Sequence, residues 1–176
     1  MTILTIVKLT CILLCFLYVL FRTDRDYLLK VAFLFTFASD LILANNPTLP
    51  IGTMVFCFAQ LAHFIRLNRN RKFLKLYSIG TLTTLIFGFI LGIFAPENSL
   101  FIFAAVYAIT EIINFILALS FSKLTALGFF LFILCDLCIA IGFILPEFKA
   151  TSDWLCWIFY LPSQILLATS RKTMIK

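Results

Sequence analysis

The chain has 176 residues, of which 63% are hydrophobic and only 12% charged, whereas a soluble domain carries about 25% charged residues. That composition excludes a water-soluble enzyme or nucleic-acid-binding domain, so the net charge of +6 is a matter of membrane topology, and no nucleic-acid partner is expected. Six Gly and five Pro leave no room for an added flexible domain, and residues 1–176 read as a single transmembrane helical domain.

In chain order, seven spans are predicted, at 2–21, 27–44, 51–67, 73–94, 99–120, 124–145 and 153–170. The fold class is all-α, a polytopic transmembrane bundle, because only helices satisfy the backbone within lipid without an open sheet edge. The first apolar run has no basic leader and no small-residue cleavage site, so it reads as a span and not as a removable signal. Breakers separate the later spans: Asn45-Asn-Pro-Thr-Leu-Pro50, Ala95-Pro-Glu-Asn98 and Leu145-Pro-Glu147.

Basic residues alternate with the spans. Arg22, Arg25 and Lys30 flank the first loop, and Arg66, Arg69, Arg71, Lys72 and Lys75 the third. Lys123 lies in the fifth loop, and Arg171, Lys172 and Lys176 form the tail. The opposite loops hold Glu97, Glu147, Asp153 and a single Lys149. The positive-inside rule then predicts an integral multi-pass protein with its N-terminus outside and its C-terminus cytoplasmic. The cluster at 66–75 reads as topology and lipid-headgroup contact.

The most informative residues are acids within apolar runs of about 20 residues, the length that crosses a bilayer. Asp40 ends Phe35-Thr-Phe-Ala-Ser-Asp40, and Asp136 lies in Phe132-Ile-Leu-Cys-Asp136-Leu. A carboxylate at bilayer depth costs about 2.5–3.5 kcal/mol on insertion scales, so its presence marks a functional site or a structural ion pair. The remaining polar groups fall on shared helix faces: Gln60 with His63, Tyr107 with Glu111 and Asn114, and Tyr160 with Gln164. Together with Lys8 in the first span they outline one polar site at mid-to-outer depth. With three acids (Asp40, Glu111, Asp136) against one deep lysine, at least one carboxyl is expected to be neutral, and a neutral acid near a carboxylate is the pairing for acid–base work. Thr10, Ser39 and Asn114 read as interhelical glue.

The six cysteines, Cys11, Cys15, Cys57, Cys135, Cys138 and Cys156, all fall in or beside apolar runs and read as buried, space-filling thiols. With one histidine, His63, and no second Cys or His pair, neither a metal site nor a cofactor is expected.

The order of these residues resembles the YhhN-like lysoplasmalogenase family of multi-span membrane proteins. Val7-Lys8-Leu9-Thr10 is similar to a Lys-Pro-Leu span start, with Leu9 in the Pro place. Phe35 to Leu43 resembles a Gly-Asp-x-x-Leu motif, with Ser39 for Gly. Gly52 to His63 resembles a Phe-x-x-x-His-x-x-Tyr span, with Gln60 at the His place and His63 at the Tyr place. Leu127 to Asp136 is similar to Gly-Ala-x-x-Phe-x-x-Ser-Asp, and Tyr160-Leu-Pro-Ser-Gln164 to the final Tyr-x-x-Ala-Gln/His segment. Family members usually have eight spans, so this chain is expected to lack the first.

The resemblance implies hydrolysis of the vinyl-ether bond of a lysoplasmalogen, giving a fatty aldehyde and a glycerophospho-base. Asp40 and Asp136 are then the candidate acid and base, in either order, and Lys8, Gln60, Glu111, Tyr160 and Gln164 the groups that hold water or the headgroup. The expected partners are a lysophospholipid or other membrane lipid and the bilayer itself. Two other readings compete: a proton-coupled small-solute transporter using the three acids as a relay, and a non-catalytic lipid-binding heptahelical protein.

Overall fold

The computed structural model describes residues 3–22, 26–45, 50–68 and 71–170, apart from the side chains of 3, 4, 71, 72, 96 and 97. Arg25, Arg69, Arg171, Lys172 and Lys176, and the central residues of the Asn45–Pro50 breaker, lie outside the described residues, as do the side chains of Arg71, Lys72 and Glu97. The described residues form seven α-helices: α1 (Ile3–Phe21), α2 (Tyr27–Asn45), α3 (Pro50–Leu67), α4 (Arg71–Phe94), α5 (Pro96–Phe121), α6 (Lys123–Ile144) and α7 (Lys149–Thr169). A short 3-10 turn, Pro146–Phe148, leads into α7, which therefore begins four residues before the predicted start of the last span.

Five helices, α2 to α6, are long and apolar enough to cross a membrane. Helix α1 is apolar but shorter over its described length. Helix α7 is less apolar because its inward face carries Ser152, Tyr160, Ser163 and Gln164, all buried. This is the composition of an integral membrane protein whose polar groups are turned into the bundle. The outward faces carry Phe, Ile and Leu, for example Phe87, Ile90 and Phe94 on α4.

Two connections consist of one residue each. Ala95 joins α4 to α5, and Pro96 opens α5 at the first helical position, where the missing N–H costs no hydrogen bond. Ser122 joins α5 to α6 in an extended conformation; its N–H donates to Ala118 O, and its own carbonyl accepts from Ala126 N–H. Links this short force neighbouring helices to run antiparallel.

The packing order is not the chain order. Around the bundle the neighbours are α1, α2, α3, α5, α6 and α7, with α7 closing back on α1. Helix α4 stands outside this ring, against α5 and the edge of α3. Between α4 and α5 runs a groove of about 420 Å³, lined among others by Tyr77, Gly80, Thr84 and Val106. The core inside the ring is aromatic and aliphatic: Ile12, Leu29, Phe33, Phe56, Phe129, Phe132 and Leu167 are buried there. Helices α2 and α3 approach closely at Gly52, where an added Cβ would meet the Leu43 side chain at 2.6 Å.

One end of the ring is tied by charge. Arg66 Nε on α3 donates to Asp26 Oδ2 at 2.8 Å, and Arg66 Nη2 donates to Ser170 O at 3.3 Å. Arg22 Nη1 donates to Ala168 O and Ser170 O, and Lys30 Nζ to Arg22 O. The Arg66 guanidinium also lies over the Phe121 ring at 5.0 Å. Arg22 and Arg66 sit on the last carbonyls of α7, the negative end of that helix, and Lys30 on the carbonyl that follows α1. Arg22 and Arg66 therefore hold the bundle together, a role beyond the topological one their positions in the sequence imply. Asp26→Asn is expected to lower the stability of the purified protein by about 1–3 kcal/mol, the range for a hydrogen bond to a charged group whose partner stays buried. Thermal unfolding in detergent micelles measures this, and a midpoint equal to that of the unsubstituted protein would contradict the clamp.

Candidate active site

The polar cluster is assembled from five helices of the ring. Lys8 comes from the first half of α1 and Asp40 from the last turns of α2. Their side chains form an ion pair, Lys8 Nζ to Asp40 Oδ1 at 2.7 Å. Asp40 is fully enclosed, whereas the Lys8 side chain is 27% exposed. The other Asp40 oxygen, Oδ2, accepts a short hydrogen bond from the Tyr160 hydroxyl of α7. Lys8 Nζ also lies over the Tyr160 ring at 4.5 Å. The lysine thus meets a carboxylate and an aromatic face together, instead of reaching out to the headgroups.

Local chemistry fixes Asp40. The preceding Ser39 hydroxyl donates to Gly52 O on α3 at 2.7 Å, which pins this part of α2 to its neighbour. On α7, Pro162 has no N–H to continue the helical ladder, and the Ser163 hydroxyl turns back to Tyr160 O at 2.7 Å.

The second half of the cluster centres on Asp136 of α6. The Tyr107 hydroxyl of α5 donates to Asp136 Oδ2 at 2.5 Å. Glu111, one turn along the same face of α5, interacts with Asp136 through its carboxyl group. Glu111 is buried, while Tyr107 and Asp136 are only partly so. The two halves meet at Phe132, one turn before Asp136. Its ring packs edge-on against Tyr160 at 5.7 Å and against Tyr107 at 6.4 Å. Two acids 96 positions apart in the chain are thus linked through one aromatic cluster. Each accepts a tyrosine hydroxyl, and they differ in the second partner: an ammonium for Asp40, a carboxyl for Asp136.

The other predicted residues separate into two groups. Gln164, one turn beyond Tyr160, is buried on the same face of α7, and its Nε2 meets no protein acceptor among the described residues. Gln60 is instead engaged with α5: Asn114 Nδ2 donates to Gln60 Oε1 at 2.8 Å and to Gln60 O at 2.9 Å. Its amide serves as a tie between α3 and α5. His63 is buried edge-on against Phe129 at 5.2 Å and near Phe33 at 6.4 Å, a packed imidazole. Among the described residues no three His, Cys, Asp or Glu side chains are placed to hold a metal ion.

Spacing alone put Tyr107 on the face of Glu111, but not onto Asp136. Cys156 was a further contact hidden from the sequence: its Sγ lies 2.8 Å from Cys135 Sγ, although Cys138 is the nearer cysteine in the chain.

Removing one partner of an enclosed ion pair leaves the other charge uncompensated, at a cost of about 3–5 kcal/mol. Lys8→Met is therefore expected to destabilise the protein by about 3 kcal/mol, discounted for the partial exposure of the lysine. Adding Asp40→Asn should recover much of the loss. A double-mutant cycle on unfolding midpoints checks this, and additive losses would show that the pair does not couple.

The model of the YhhN family matches residues 3–171, nearly the whole chain. No curated protein and no solved structure matches.

Proposed function

The chain belongs to the YhhN family, and from that membership and the pairing of its two buried acids we propose that it is a membrane-embedded hydrolase of the vinyl-ether bond of lysoplasmalogens. The observation that carries the proposal is the unequal surroundings of Asp40 and Asp136 within one cluster.

Vinyl-ether hydrolysis begins with a proton delivered to carbon. Two carboxyl groups facing each other in an apolar interior favour sharing a proton over carrying two charges. We therefore assign the transferable proton to the Asp136–Glu111 pair, with Tyr107 orienting Asp136. Protonation of the vinyl carbon distal to oxygen gives an oxocarbenium ion. Asp40, ion-paired with Lys8 and accepting from Tyr160, stabilises that cation and takes a proton from the attacking water. The hemiacetal collapses to a fatty aldehyde and releases the glycerol oxygen with its proton. The proton collected at Asp40 then returns to Asp136, and the net reaction consumes one water.

Lys8, partly exposed beside the cluster, suits the phosphate of a headgroup, and the Gln164 Nε2, which meets no acceptor among the described residues, suits water or the glycerol hydroxyl. The positive-inside pattern supports an outward-facing N-terminus and a cytoplasmic C-terminus. In that orientation the Arg22–Arg66 clamp lies at the cytoplasmic end and the aspartates toward the outer leaflet.

Asp40→Asn and Asp136→Asn are each expected to abolish aldehyde release from lysoplasmenyl lipid by purified protein, followed by mass spectrometry of the products. Tyr107→Phe and Glu111→Gln should lower turnover by about 10²-fold, the lower range for a positioned acid. Wild-type rates in both Asp variants would refute the assignment. Proton-driven solute flux in liposomes without lipid turnover would replace it with the transporter reading.

A further inference from the structure

Beyond the hydrolase reading and independently of it, we propose that Cys135 and Cys156 form a redox modification site, a dithiol that a peroxide converts to a reversible cystine joining α6 to α7. The six thiols are free, and their geometries differ. Cys11 and Cys15 lie one turn apart on the same helix, where a bridge would join nothing new. Cys57 Sγ donates to Phe103 O at 3.3 Å. Cys135 and Cys156 stand on separate helices that pack along one another, with their sulfurs 2.8 Å apart. A disulfide is about 2.05 Å long, so closure asks for less than an ångström of movement.

The two thiols also differ in access. Cys135 is 1% exposed, and Cys156 is partly exposed. A small neutral peroxide meets Cys156 first. Its sulfur attacks the O–O bond, forming a sulfenic acid and releasing an alcohol, or water from hydrogen peroxide. The Cys135 sulfur then attacks the sulfenic sulfur and displaces water. Two thiols and one hydroperoxide thereby give one cystine, one alcohol and one water; sulfur is oxidised and the peroxide reduced.

The site borders the polar cluster. Cys135 immediately precedes Asp136, and Cys156 lies one turn before Tyr160, whose hydroxyl meets Asp40. The cystine would fix the separation of the two helices that carry Asp136 and Tyr160.

The test uses the full chain in detergent micelles, treated with hydrogen peroxide, alkylated and digested without reduction. Mass spectrometry is expected to find a peptide pair linking Cys135 to Cys156 that dithiothreitol reverses. The link should persist in Cys138→Ser and vanish in Cys156→Ser. Alkylation of both thiols after peroxide treatment, over-oxidation of Cys156 without a link, or pairing of Cys156 with Cys138 would each overturn the proposal.

Discussion

The structure depends on the ion pair between Lys8 and Asp40. Either charge alone in an apolar interior is costly, and their attraction there is far stronger than in water. The pair is enclosed only if α1 and α2 lie side by side with α7 against them, because Tyr160 supplies both the second hydrogen bond to Asp40 and the ring under the ammonium. A contact between neighbouring helices thus recruits the last helix and helps to close the ring. Phe132 carries the organisation onward: its ring touches Tyr160 on one side and Tyr107 on the other, and Tyr107 holds Asp136.

A second charged layer lies at the opposite end of the same helices. Arg22 and Arg66 close on the C-terminal carbonyls of α7, with Asp26 compensating Arg66. Helix α7 is thereby anchored to α1 at its end by Arg22 and in its middle by the Lys8–Tyr160 contact. Between the two layers the ring is filled by Phe33, Phe129 and the packed imidazole of His63. Among the described residues, helix α4 contributes to neither layer; it packs on α5, where the Tyr77 hydroxyl meets that of Thr110 at 2.8 Å, and on the edge of α3.

On the proposed reading, the chemistry rests on asymmetry between two similar residues. Asp40 and Asp136 have the same side chain and the same kind of tyrosine partner. A lysine beside one and a glutamate beside the other give them different protonation tasks, the arrangement by which paired carboxyls divide acid and base roles. Ser39, which stands where the related motif has glycine, also has a physical use in this chain: its hydroxyl reaches across to Gly52 O and secures the turn that presents Asp40.

Much of this was legible in the sequence, because lipid imposes a simple rule. Apolar runs of spanning length must be helices, so the seven elements, their approximate ends and the all-α class followed from hydropathy and breakers. Helical spacing placed Tyr107 with Glu111, and Tyr160 with Gln164, and the rarity of deep acids singled out Asp40 and Asp136. The tertiary structure alone decided which of these side chains meet. Helix faces are set by local periodicity, but the neighbours of a helix are set by packing across the whole ring, and that order skips from α3 to α5. Gln60 was therefore placed by spacing on an inward face, yet turned to Asn114 across the α3–α5 contact. Between consecutive helices, Tyr107 met Asp136 and Cys156 met Cys135 through the register of one helix against the next, which spacing along a single helix does not fix.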